Sequence, residues 1–297
     1  MITTKTYRPN KYNSYLIQLF RLVIKHIVPA SLFRDNIPSS AERKAVDGHF
    51  NLEIVSHCWG YGNMLAYQLS SYVNHPPTKL SVTATVLYSE EDEKTTEVIN
   101  FFKAIEVPNV IWNFQPIAKE KLFRRSIGRN MAARSTKADW IWYTDCDNIF
   151  HENCLDSLAE QLQGCRETLV HPKCEYTTEM LLDDDPILRK DCSPAVIEID
   201  RNKFNSTALK KSTGPYQIVH GDVARAIGYC EKLKMFQTEE TAWRKTYEDT
   251  AFKWLINSEG TALEIENALR IRHVSKGRYT KDSNVSRVRS KIRRLQE

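Results

Sequence analysis

The chain has 297 residues and a net charge of +5, with 42 Lys and Arg against 37 Asp and Glu. This length is enough for one large domain or two small ones, and the mild positive charge permits anionic partners without requiring them. The seven cysteines are odd in number and form no Cys-x-x-Cys pair. They argue against a disulfide framework or a zinc site and indicate a reducing compartment, so we expect a cytoplasmic protein, with peripheral membrane association as an option.

The first 50 residues predict an N-terminal amphipathic helix followed by a polar connector. Its apolar side chains recur at helical spacing, and Pro29 ends the pattern. They are Leu16, Leu19, Phe20, Val23 and Ile27. Polar and charged residues interrupt the run, so no stretch is long enough to cross a bilayer. Two interpretations remain open, a helix packed on the main domain and an interfacial anchor that lies on a membrane.

From residue 51 onward, strand patterns alternate with helix patterns. The predicted strands are 52–56, 81–88, 110–114, 140–144, 167–171, 195–199 and 216–219. The predicted helices are 64–72, 95–104, 123–135, 153–161, 224–232 and 250–256. This order predicts an α/β fold with a mostly parallel central sheet and helices on both faces. No glycine pattern typical of dinucleotide-binding folds or P-loops occurs, which weakens both of those interpretations.

The strand at 140–144 is apolar, aromatic or β-branched throughout and leads directly into Asp145-Cys146-Asp147. In an extended chain, side chains two positions apart project to the same side, so both carboxylates are expected beyond the carboxyl end of this strand, where α/β sheets bind ligands. Carboxylate oxygens suit Mg²⁺ or Mn²⁺. The alternative is an acidic turn that ends the strand and caps the next helix.

Four separated blocks resemble the GT-A-fold glycosyltransferases, most closely their family 2-like inverting branch. In order, they are Arg124-Arg-Ser-Ile-Gly-Arg-Asn130, Asp145-Cys-Asp147, Arg225-Ala-Ile-Gly228 with Tyr247-Glu-Asp-Thr250, and His273-Val-Ser-Lys-Gly-Arg278. The resemblance implies a Rossmann-like GT-A domain over residues 51–280. Independently, apolar side chains at helical spacing among basic residues predict a C-terminal helix over 281–297, which either docks by its apolar stripe or forms a membrane-surface patch. The second predicted strand ends in Tyr88-Ser-Glu-Glu-Asp-Glu93, which departs from the Asp-Asp-Gly-Ser-like turn of that family.

The resemblance also implies how a donor is held. Asp145 and Asp147 would bind a divalent cation, Mn²⁺ or Mg²⁺, that bridges the phosphates of a nucleoside-diphosphate-sugar, with a UDP-sugar favoured. Asp147 would be the direct ligand, Asp145 would lie nearer the ribose, and His273 would supply a third ligand. The predicted contacts to the diphosphate oxygens are Arg129, Lys276 and Arg278. For each of these three residues, an ordinary surface charge or ion pair is the alternative.

The remaining implied roles concern catalysis and the sugar. Asp249 would be the general base that takes the proton from the acceptor hydroxyl, with Glu248 as the fallback; the alternative is that Asp249 only caps the helix 250–256. Trp243 could stack on a sugar ring and Trp59 could line the nucleoside pocket, although either could be a core residue. Glu90, with Glu91 and Asp92 beside it, lies where the family places an acidic nucleoside-binding residue.

The combined prediction is a metal-dependent, inverting glycosyltransferase of hexosyltransferase type. Its partners would be a nucleotide-sugar donor and a glycan, glycolipid or protein acceptor, with a membrane surface as a further option and no nucleic acid. Two alternatives stay open. A sugar nucleotidyltransferase would need a glycine-rich phosphate loop, for which Gly60-x-Gly62 is sparse. A non-catalytic module that binds sugars or a membrane surface would have kept the fold without the reaction.

Overall fold

A computed structural model describes residues 11–181, 185–189, 193–242 and 247–273. The strands are β1 (Phe50–Cys58), β2 (Leu80–Tyr88), β3 (Val110–Pro116), β4 (Trp140–Tyr143), β5 (Asn148–Phe150), β6 (Leu169–Pro172), β7 (Cys174–Thr177), β8 (Asn205–Ala208), β9 (Gln217–His220), β10 (Thr261–Leu263) and β11 (Ala268–Arg270). The α-helices are α1 (Lys11–Leu19), α2 (Lys25–Ile27), α3 (Gly62–Asn74), α4 (Glu93–Lys103), α5 (Lys119–Leu122), α6 (Arg125–Ser135), α7 (Cys154–Gln161), α8 (Gly221–Ile227) and α9 (Glu248–Ile256).

The central sheet has the strand order β10-β6-β9-β4-β1-β2-β3. Strands β1 to β4 are parallel to their sheet neighbours within this group, whereas β9 runs antiparallel to both β4 and β6. Helices connect the parallel strands, as right-handed crossovers require. The predicted α/β fold with a mostly parallel sheet and helices on both faces is therefore confirmed.

Side-chain alternation along β4 divides the core between the two faces of this sheet. Trp140 and Trp142 point into one apolar cluster with residues of α3, α4 and α7, while Ile141 and Tyr143 point into a second cluster with residues of α6, α8 and α9. All four side chains are fully buried. This burial on both faces explains why the strand is apolar at every position, as predicted, and places its carboxyl end at the centre of the molecule.

A second sheet, in the order β5-β11-β7-β8, lies beyond the end of β4 and was not predicted. Its strands have three or four residues each, too short to show a period-two pattern. The predicted strand 195–199 is wrong. That segment crosses α3 in an irregular conformation, where the Ile197 N–H donates to Ser70 Oγ and the Asn74 side chain donates to the Ile197 carbonyl oxygen. Its β-branched composition thus serves packing against a helix.

The N-terminal segment is helical from Lys11 to Ile27, with a π-helical turn between α1 and α2, and Pro29 follows its end as predicted. Among the residues that the structure describes, no helix is long and apolar enough to cross a membrane. The predicted C-terminal helix over 281–297 lies outside the described residues. The proposed limits of the three regions, 1–50, 51–280 and 281–297, stay predictions.

Candidate active site

The two aspartates do not continue β4 but lie in a turn between β4 and β5. The Asn148 N–H donates to the Asp145 carbonyl oxygen at 3.2 Å, which closes the turn. The expectation that both carboxylates project to the same side is therefore not supported, because the alternation of an extended chain ends at Tyr143. Asp145 faces helix α6, whereas Asp147 faces the second sheet, as the contacts of each carboxylate show.

Gln68, which is buried in α3, holds this turn in place. Its Nε2 donates to the carbonyl oxygens of Asp145, at 3.0 Å, and Asn148, at 3.1 Å. Two hydrogen bonds from one buried amide constrain both ends of the turn, so the positions of the two carboxylates depend on helix α3.

Arg125 connects the aspartate turn to the start of α9. Its Nη1 donates to Asp145 Oδ1 at 2.6 Å, and its Nε and Nη2 approach Glu248 Oε1 at 2.9 and 2.8 Å. Glu248 is 1% exposed and Arg125 is 22% exposed, so this ion pair is largely shielded from water. Burial alone would lower the pKa of Arg125, but the charges of Glu248, Asp145 and Asp249 raise it above its ordinary value.

Arg129 lies one turn further along α6 and is fully buried. Its Nη1 donates to the Tyr229 hydroxyl at 2.9 Å, and its Nη2 donates to the carbonyl oxygens of Thr144 and Gly214 at 3.4 and 3.3 Å. Its Nη2 also lies 3.7 Å from Asp145 Oδ1, so the described contacts give Arg129 a positioning role, and its predicted contact with diphosphate oxygens stays a prediction. By donating to both carbonyl oxygens, Arg129 links Thr144, the residue before Asp145, to the turn that contains Gly214.

His57 lies near the end of β1, close to Arg125 and Arg129 of α6, and is 4% exposed. Burial, reinforced by the positive charges of Arg129 and Arg125, holds its pKa well below the ordinary value, so the imidazole is neutral. Gly128, between the two arginines in sequence, approaches His57 so closely that a Cβ at this position would overlap the imidazole Nε2 atom. The glycine of the Arg-Ser-Ile-Gly-Arg block is thus required for packing.

Asp147 lies beside His273 and lines a cavity of about 340 Å³. The Oδ2 of Asp147 is 3.8 Å from Nε2 of His273, which is 4% exposed. The ring of Tyr61, the residue before α3, contacts the His273 ring edge-to-face with 5.5 Å between centroids. The other residues that line the cavity are Glu175, Thr177, Thr207, Arg270, Ile271 and Arg272.

The cavity wall opposite Asp147 belongs to the second sheet. Arg270 on β11 donates from Nε and Nη2 to the two carboxylate oxygens of Glu175 on β7, at 2.9 and 2.8 Å. The two parallel hydrogen bonds constrain the pair, and Glu175 is shielded from water because it is 7% exposed. The cavity lining therefore combines carboxylates, two arginines and two threonines, which suits a ligand rich in hydroxyl groups.

Asp249 lies in the first turn of α9, next to the buried Glu248. The residue at the cap position is Tyr247, so the alternative in which Asp249 caps a helix that starts at Thr250 does not match the observed helix. Asp249 is partly exposed, and a Cβ on Gly214 would lie 3.6 Å from its Oδ2. Gln217 donates to the Asp249 carbonyl oxygen at 3.1 Å, which fixes the backbone and leaves the carboxylate beside the Gly214 turn.

The predicted nucleoside contacts occupy different environments. Glu90 is exposed in the turn after β2. Asp92 instead caps α4 and accepts hydrogen bonds from the Gly60 N–H, at 2.5 Å, and the Thr95 hydroxyl, at 2.6 Å. Trp59 is partly buried, with its ring edge-to-face against Phe123 at 5.1 Å between centroids. The nucleoside roles of Glu90 and Trp59 stay predictions, whereas Asp92 has a structural role in the described contacts.

Three predicted site residues, Trp243, Lys276 and Arg278, lie outside the described residues. Within the ranges that the structure does describe, no three His, Cys, Asp or Glu side chains converge as metal ligands. Asp147 and His273 still fit one ion, because two ligand atoms that each lie about 2.1 Å from a cation can be at most about 4.2 Å apart. Because Asp145 is directed to Arg125, the described part of the chain offers Asp147 and His273, of the three predicted ligands, to one ion.

Sequence reasoning missed Arg125 and Gln68 as site residues. Arg125 and Arg129 are separated by four positions on a helix and so share one face, a signal that could have been used. Spacing alone does not say which of the two reaches the surface, because that depends on the depth at which α6 packs. Gln68 carried no signal, since its partners are backbone atoms about 80 residues away.

Comparison with known proteins agrees with this geometry. The family described as glycosyl transferase family 2 has a model that matches residues 90–224. This match supports the interpretation of the chain as a GT-A-fold, family 2-like glycosyltransferase. The matched part of the chain begins just after β2, ends within α8 and contains Arg125, Asp145 and Asp147, whereas Asp249 and His273 lie beyond it. Among curated proteins, none matches the chain.

Proposed function

We propose that the chain is a metal-dependent glycosyltransferase that transfers a sugar from a nucleoside-diphosphate-sugar, with a UDP-sugar favoured, to an acceptor hydroxyl with inversion. The observation that carries the proposal is the Arg125 bridge between Asp145 and Glu248. The bridge brings the aspartate turn and the start of α9 to one place, although the two are about 100 residues apart in sequence. A donor-binding carboxylate and a candidate base are thereby held in one polar site.

Asp147 and His273 would hold a divalent cation with the donor diphosphate. Mn²⁺ or Mg²⁺ bound there would neutralise the charge that develops on the nucleoside-diphosphate leaving group. Asp147 would supply a carboxylate oxygen, and His273, whose ring packs against Tyr61, would supply an imidazole nitrogen. A cation held largely by substrate phosphates is typical of Mg²⁺ sites with few protein ligands.

Asp249 would accept the proton of the acceptor hydroxyl. Its carboxylate is partly exposed, while that of the neighbouring Glu248 is buried against Arg125. A buried carboxylate in an ion pair is a poor base, because the cation stabilises its charged form. Glu248 therefore fits a positioning role, and the fallback assignment of the base to Glu248 is less favoured than Asp249.

Glu175 and Arg270 would orient the hydroxyl groups of a sugar in the cavity beside Asp147. The pair presents fixed donors and acceptors, and Thr177 and Thr207 add two hydroxyls. Such side chains can match the paired donor and acceptor character of sugar hydroxyls. Sugar transfer to the acceptor hydroxyl would then take place in the space between this cavity and the Asp249 carboxylate.

The donor and metal assignments are tested by thermal unfolding with and without Mn²⁺ and a panel of nucleoside-diphosphate-sugars. We expect a UDP-sugar with Mn²⁺ to raise the melting temperature, because a ligand that binds only the folded state stabilises it. Asp147→Ala should remove this shift. Asp47→Ala is the control, since Asp47 is exposed in the connector before β1. An undiminished shift in Asp147→Ala would contradict the metal assignment.

The base assignment is tested by comparing Asp249→Asn with Glu248→Gln. Asp249→Asn should keep the donor-induced shift and lose sugar transfer by about 100-fold or more, the usual range for a general base. Glu248→Gln should retain more transfer activity than Asp249→Asn while lowering stability. If Glu248→Gln loses transfer and Asp249→Asn keeps it, the base is Glu248 and our assignment is wrong.

A further inference from the structure

The outward face of the N-terminal helical segment carries large apolar side chains in contact with water. Tyr15 and Ile27 are each 74% exposed, and Leu22 is 64% exposed. Six of the nine large apolar side chains that are exposed in the described residues lie between residues 15 and 32. We call these six the N-terminal apolar face: Tyr15, Leu19, Leu22, Val23, Ile27 and Leu32. The other three, Ile111, Met131 and Val196, are scattered, as isolated exposed apolar residues usually are.

The opposite face of the same segment is docked on the domain. Phe20 is 2% exposed and contacts Trp254 and Phe236 edge-to-face, with ring centroids 5.1 and 5.9 Å away. Ile17 is also buried, and Phe33 packs against Trp254. The predicted apolar stripe is thus divided: Phe20 joins the core, while Leu19, Val23 and Ile27 point outward. Because the helix is already fixed by Phe20, the outward residues are not needed to hold it.

The charge of this segment is of one sign. Residues 11–34 contain Lys11, Arg21, Lys25 and Arg34 and no Asp or Glu. A helix with an apolar face and basic side chains suits the surface of an anionic bilayer, where each basic residue adds attraction to the lipid headgroups. A second copy of the chain fits less well, since a twofold dimer through this face would bring the same positive charges together.

We propose that the N-terminal apolar face binds the surface of an anionic lipid bilayer. The apolar side chains would insert at the boundary of headgroups and acyl chains, and the net positive charge of the segment would be attracted to the lipid phosphates. The helix would lie along the surface, because its Phe20 side stays docked on α9. This inference is independent of the reaction, since it depends only on the exposed side chains and the charge of this segment.

The test is flotation of the full chain with lipid vesicles. We expect the wild type to float with vesicles that contain phosphatidylglycerol and much less with pure phosphatidylcholine vesicles. The variant Leu19→Ser/Leu22→Ser/Ile27→Ser should bind the anionic vesicles about 100-fold more weakly. Ile111→Ser is the matched control, because Ile111 is 63% exposed on β3, and it should bind like the wild type.

Folding of the triple variant is checked by urea unfolding, where little change is expected because the three side chains are exposed. If it nevertheless unfolds, Tyr15→Ser/Leu32→Ser replaces it, with the same expected loss of binding. Failure of the wild type to float, or undiminished flotation of a folded variant, would overturn the proposal. So would a wild-type dimer that the substitutions dissociate in sedimentation, because the face would then be an interface between copies.

Discussion

Replacing Arg125 by Met removes the link between the aspartate turn and α9. Glu248, which is 1% exposed, would lose the two donors that approach it at 2.9 and 2.8 Å. Breaking a buried ion pair by removing one partner typically costs about 3–5 kcal/mol, because the other charge stays buried without compensation. The contact to Asp145 adds little, since Asp145 is 33% exposed and can be solvated. We therefore expect Arg125→Met to lower the free energy of unfolding by about 3 kcal/mol.

The measurement is urea unfolding followed by tryptophan fluorescence, for which the chain has six tryptophans. Glu248→Gln and the double variant complete a double-mutant cycle, in which we expect a coupling of about 1.5–3 kcal/mol between the two sites. Lys94→Met is the control, because the Lys94–Glu97 pair is 62% and 49% exposed, and this variant should unfold at nearly the same urea concentration as the wild type. A loss below about 1 kcal/mol in Arg125→Met, or a coupling near zero, would refute the reasoning.

Three further predictions concern the same core. In urea unfolding, Gly128→Ala should lower the free energy of unfolding by about 1–3 kcal/mol, because the added Cβ overlaps His57. Met131→Ala on the same helix is the control and should change it by under about 0.5 kcal/mol, because Met131 is exposed. The pKa of His57 is lowered in the folded state, so below about pH 6.5 the unfolded chain takes up a proton that the folded chain does not. The free energy of unfolding should therefore fall by up to about 1.4 kcal/mol for each pH unit below that point. In denaturation measured from pH 7 to 5, His57→Gln should reduce this slope. Cys146 is buried, and its contact with the neighbouring Cys58 thiol raises its pKa. A thiol reagent should therefore modify Cys146 more slowly than the partly exposed Cys165, with the products followed by mass spectrometry. Equal rates would contradict the described packing.

Much of the central sheet could be predicted because its strands are buried on both faces. Such strands read as continuous apolar runs, and β4 with four buried residues is the clearest case. The second sheet could not be predicted, because β5 and β11 have three residues each and depend on pairing with each other. The segment 195–199 shows the converse error, since a strand-like composition there packs across α3 without a ladder.

The site divides in a similar way. Asp145, Asp147, Glu248, Asp249 and His273 could be singled out from the order and spacing of their blocks. Their directions could not. The turn after β4 sends one aspartate to α6 and the other to the second sheet, and no local pattern encodes that difference.

By itself, the sequence determined that the chain forms an α/β sheet, that an acidic pair follows its most buried strand, and that a basic, apolar helix precedes it. These features depend on the spacing of apolar and polar residues, which can be read from short stretches of the sequence. Only the tertiary structure decided that Arg125 bridges two distant acidic groups, that Arg129 is enclosed, and that three of the five residues of the N-terminal stripe face water. These outcomes depend on packing depth and on contacts between residues far apart in sequence, which no local pattern specifies.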